Sequence, residues 1–96
     1  MDLRTSDRTR FAAPRYVVET LRVWRAGTRA ERQQLRLISD VGRRQWTVVH
    51  KTGGPRPRVT ASAYGGQNDA MTAIGTVMAA SGQDWDEISP YSHPWA

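Results

Sequence analysis

The residues with which this chain could act on another molecule are two histidines, nine carboxylates and fourteen cations, thirteen of the cations being arginine. A fixed spacing is what turns such groups into a catalytic or metal site, and none is present. His50 and His93 stand alone: neither has a second ligand at the i, i+4 spacing by which a helix holds zinc. His50 alternates with Trp46 and Val48 and reads as a partly buried structural side chain on a strand. Asp84-x-Asp86-Glu87 gathers carboxylates but lacks the alternating ladder and glycine of a calcium loop, so it reads as a solvated acidic turn. No serine sits in a Gly-x-Ser-x-Gly elbow, and Gly53-Gly54 and Gly65-Gly66 lack the longer glycine patterns that cradle phosphate. The expectation is a protein that is not an enzyme and that uses no metal or cofactor.

The cations have a pattern that the other groups lack. All of them lie between Arg4 and Arg58, where fourteen cations against five acids leave +9, while the residues from 59 onward carry four acids and no cation, a net −4. Charge segregation of this kind selects partners and says nothing of fold. Arg43, Arg44, Lys51, Arg56 and Arg58 gather around one hairpin, whose tip is stiffened by Pro55 and Pro57. They are the candidate nucleic-acid contacts, because cations set against phosphates displace condensed counterions and a two-stranded ribbon fits a groove. DNA and RNA are equally served. Trp24, Trp46 and Tyr64 either stack on bases, as in single-strand binders, or fill the core. An acidic protein surface is the competing partner, and arginine's excess over lysine also has a second source in GC-rich coding.

The elements that must position these groups follow from alternation and from glycine and proline punctuation. Gln45 to Lys51 and Arg58 to Tyr64 read as strands flanking residues 52–57, a hairpin tip. Trp46 and Val48 are expected on one side, with Val59, Ala61 and Ala63 opposite them on the partner strand. Tyr16 to Arg25 is rich in β-branched and aromatic residues and reads as a strand with Val17, Leu21 and Val23 on one face. A helix between Pro14 and Gly27 is its alternative. Residues 28–41 stay open between a helix with a Thr28/Glu31 capping box and a polar turn followed by a strand at 34–40. Asn68 or Asp69 should cap a helix that stops at Gly82. An isolated hairpin is marginal in water, so the expected fold is α+β: a small antiparallel β-meander of about four strands with the C-terminal helix on one face. The alternative is helix-helix-hairpin-helix.

At 96 residues, 39% hydrophobic and 24% charged, the chain supports a single globular core. Residues 1–15 read as a mobile basic arm, 16–82 as the compact domain and 83–96 as an acidic-aromatic tail. The helix offers little polar surface for a monomer. Met71, Gly75, Met78 and Ala79, together with Trp85 and Trp95 of the tail, are therefore candidate contacts for self-association or a partner. The alternative is that the tail folds over this face. A second functional reading is thus a small adaptor or inhibitor of mobile-element or phage type, acting through the apolar helix and aromatic tail. With no cysteine, no apolar run of about 20 residues and no signal-like start, the chain is expected to be a cytoplasmic homo-oligomer without membrane contact.

Overall fold

The computed structural model describes residues 18–91. The arm at 1–15, His93 and Trp95 lie outside them. Five strands form one antiparallel sheet: β1 (Val18–Ala26), β2 (Gln33–Asp40), β3 (Gln45–Thr52), β4 (Arg58–Tyr64) and β5 (Trp85–Ile88), in spatial order β4-β3-β2-β1-β5. Among the described residues one α-helix, α1 (Gln67–Ser81), leads from β4 at one edge to β5 at the other. The class is α+β with a meander, and the expected count of about four strands is corrected to five. The all-helical start of the alternative does not form. Valines, threonine and tryptophan dominate Val18–Ala26 and favour extended backbone. Residues 28–32 make only one 3-10 turn, Arg29–Glu31, whose Thr28 cap has no side-chain hydrogen bond.

The core lies between one sheet face and α1. Trp24, Leu35, Leu37 and Val48 meet Ala70 and Ile74, with Leu21, Trp46, Tyr64, Met71, Val77, Met78 and Trp85 packed around them. Each fully buried aliphatic here contributes on the order of 2 kcal/mol. Cross-strand partners share a face, and the register Trp24–Leu35–His50–Thr60 therefore defines the helix side, while Arg25–Gln34–Lys51–Val59 defines the other. Two expectations shift by one step. A register change between Thr20 and Arg22 inserts Leu21 as an extra residue, so Leu21 packs on the helix side while Val23 faces away. Trp46 pairs with Tyr64 and Val48 with Ser62, which turns Val59, Ala61 and Ala63 to the face that α1 leaves uncovered.

The helix begins after Gly66, the N-cap, and not at Asn68 or Asp69. Asp69 sits in the first turn instead, where its charge complements the helix dipole. Gly82 closes the helix in left-handed backbone, φ +67. Past it, Ser81 Oγ accepts a 2.8 Å hydrogen bond from the Trp85 indole N–H, which aims the chain at β1. The segment read as tail from 83 onward thereby supplies β5, pairing Trp85 with Ala26 and Ile88 with Val23.

Candidate nucleic-acid interface

In an antiparallel meander, alternate connections share an end. The β1–β2 and β3–β4 connections therefore meet at one end of the sheet, and the β2–β3 turn lies at the other. This divides the five predicted cations. Arg43 and Arg44 occupy the β2–β3 turn, while Lys51, Arg56 and Arg58 lie at the end of β3, in the following loop and at the start of β4. From Arg44 to the level of Arg58 is about eight residues of strand, or about 26 Å. One hairpin does not gather them.

What gathers around Lys51, Arg56 and Arg58 instead is the β1–β2 connection, with Arg25, Arg29 and Arg32. The two loops are in close contact: Gly53 N–H donates to Arg32 O at 2.8 Å. A Cβ on Gly54, whose φ is +103, would lie 2.9 Å from Ala30 O. At Gly27, φ +75, a Cβ would lie 2.2 Å from Glu31 O, so only glycine permits the approach at either turn. Arg29 itself has φ +52, a left-handed backbone uncommon for a residue with a Cβ.

A line of side-chain amides fixes this end. His50 Nε2 lies 2.8 Å from Gln33 Oε1, Gln33 Nε2 donates to Gln83 Oε1 at 3.3 Å, and Gln83 Nε2 donates to Glu31 O at 3.3 Å. The acceptor on Gln33 assigns the Nε2–H tautomer to His50. Burial holds the His50 imidazole below its ordinary pKa, keeping it neutral and structural, as its alternation with Trp46 and Val48 implies.

Between the β1–β2 connection and the β5 region lies a groove of about 420 Å³, lined by Arg25, Gly27, Thr28, Arg29, Arg32, Asp84 and Asp86 among others. Arg25 and Asp86 face one another across β1 and β5, yet no ion pair joins them. Among the described residues, six cations at this end stand against Glu31, Asp84 and Asp86. On the face away from α1, beside Arg25 and Lys51, buried Gln34 accepts from Arg36 Nε at 3.1 Å and keeps its own Nε2 without an acceptor.

Arg22, Arg43 and Arg44 lie outside this group. Arg22 makes paired hydrogen bonds to Glu87 at 2.9 and 2.7 Å and covers the Trp24 ring at 4.9 Å. These bonds raise its pKa and lower that of Glu87. Arg43 lies 3.7 Å from Asp40. Arg44 has φ +52 and lines a second hollow of about 400 Å³ with Trp46 and Gly65 at the opposite end.

Trp24, Trp46 and Tyr64 all pack on the helix side, in or around the core, the second of the two placements the sequence allows. Of the association candidates, Met71 and Met78 pack against the core, Trp85 is half-buried at the start of β5, and Gly75 and Ala79 are exposed. Among the described residues no group of three His, Asp or Glu side chains could hold a metal ion, and no helix is long and apolar enough to cross a membrane. Arg25, Arg29 and Arg32 escaped the sequence reading because they are remote from the hairpin in the chain. The alternation of ends in a meander was the signal that could have found them. No protein family, curated protein or solved structure matches this chain.

Proposed function

We propose that the protein is a non-catalytic binder of nucleic acid that grips the phosphate backbone with the end formed by the β1–β2 and β3–β4 connections. The observation that carries this reading is the convergence of Arg25, Arg29 and Arg32 with Lys51, Arg56 and Arg58 from two segments tied by the Gly53–Arg32 hydrogen bond. Arginine suits phosphate through its rigid fork of donors. The left-handed backbone at Arg29 fits a residue kept for its side chain at some conformational cost. With every described tryptophan turned to the helix side or half-buried, contact is to the backbone and carries little sequence information.

Replacing Arg56 and Arg58 with alanine tests it in a titration with unrelated duplexes at several salt concentrations. Affinity should fall uniformly across sequences, and the slope of log K against log salt should flatten by about 1.8, two phosphate contacts' worth. Unchanged affinity and slope would remove this end from the interface.

The adaptor reading has one observation in its favour. Thr72 and Thr76 bond their hydroxyls back to Asn68 O and Thr72 O, each at 3.0 Å, so the outer face of α1 is less polar than its composition. Heparin separates the two: it displaces a nucleic-acid target, whereas an adaptor binds its protein with no affinity for DNA or RNA.

A further inference from the structure

The two edges of a sheet are where unpaired backbone N–H and C=O groups meet solvent, and folded proteins guard them with short strands, charges, prolines or bulges. Past Arg58 at its start, β4 has none of these. It runs seven residues, Arg58–Tyr64, in unbroken register with β3; its first six residues are all exposed, and Arg58 is its only charge. Val59 is 64% exposed. Nothing in the described residues covers its outer side, since β3 is its one neighbour.

We infer that β4 pairs antiparallel with β4 of a second copy about a two-fold axis at Ala61, making a continuous ten-stranded sheet with both helices on the same side. The strand is suited to itself. Full overlap of Arg58–Tyr64 centres the axis on Ala61, so Arg58 meets the partner's Tyr64 and no like charges stand opposed. Thr60 meets the partner's Ser62 on the helix side, a favourable cross-strand pair, and Val59 meets the partner's Ala63 on the other. The outer face of α1, without a charged residue after Asp69, adds no repulsion on the side where the helices lie.

The pairing also repairs the division of the predicted cations. Within one chain, Arg44 and Arg58 are at opposite ends, about 26 Å apart along the strand. Across the two-fold, Arg58 lies two strand spacings from the partner's Trp46, and the partner's Arg44 is two residues further. That separation is about 12 Å. Each basic end is thereby extended by the β2–β3 turn of the other copy.

The full chain, free of nucleic acid, should scatter light as twice the chain mass, and the outward amides of β4 should gain hydrogen-exchange protection as concentration rises. Ala61→Lys and Ala61→Glu, exposed positions that the single fold tolerates, should each run at the single-chain mass with unchanged circular dichroism. Mixed in equal amounts they should return to twice the mass. Thr76→Lys on α1 should leave the pair intact. Four results would overturn the inference: a wild-type chain at single mass, an Ala61→Lys variant that still pairs, a mixture that stays monomeric, or a chain that admits a strand only from an unrelated peptide. Because no nucleic acid is present, failure here is distinct from failure of the binding reading.

Discussion

The sheet's two edges are built on opposite plans. β5 has four residues, two of them acidic, is followed by Pro90, and is held by Trp85 through the core and Ser81 and by Glu87 through Arg22. β4 has seven residues, small uncharged side chains between Arg58 and Tyr64, and pairing on one side. A short, acidic edge followed by a proline offers a second strand little, whereas a longer edge with one charge offers a full ladder. The difference separates a strand that closes the fold from one available to extend it.

The largest test of that contrast is Trp85→Ala. It removes a half-buried indole and its hydrogen bond from the closing edge and should cost about 3 kcal/mol in denaturant unfolding, while Val59→Ala on the other edge should stay within about 0.5 kcal/mol for the unpaired chain. Equal costs would erase the distinction. A smaller effect comes from acid. Glu87 has its pKa lowered by Arg22, so its contribution is present above the ordinary carboxylate range and is lost as pH falls through its folded value. Arg22→Ala should abolish that part of the acid dependence in thermal unfolding, and the same substitution should leave the mass of a β4 pair unaltered. The smallest lies one strand in from β4, at His50. Its lowered pKa means that the unfolded chain takes up the proton first. Stability is complete above about pH 6.5 and declines below it, and His50→Gln should flatten that decline while keeping a donor for Gln33.

Much of the fold was legible because β3, β4 and α1 carry clean signals: alternation in Gln45–Thr52, the Gly53–Pro57 tip, and a helix that stops at Gly82, although its start was expected at Asn68 or Asp69 and lies at Gly66. β5 was not. Trp85 and Ile88 lie on opposite faces of a strand whose middle is acidic, so no alternation announces it, and its partner β1 is some sixty residues away. Nor does any local preference mark the extra residue Leu21, which sets the register of β1 through packing against the core. The candidate site was legible only in half. Hairpin residues Lys51, Arg56 and Arg58 could be picked out because they are adjacent in the chain, but grouping Arg43 and Arg44 with them treated nearness along a strand as nearness in space. Arg25, Arg29 and Arg32 join through topology alone.

The amide line from His50 to Glu31 runs one way. Each glutamine in it accepts on the His50 side and donates on the other, so neither amide can be flipped without breaking two contacts at once. A glutamate at position 33 or 83 would keep the shape and silence the outgoing donor. The loop bearing Arg29 is thus oriented by a strand residue three links distant, and the placement of its guanidinium is inherited from the interior of the sheet.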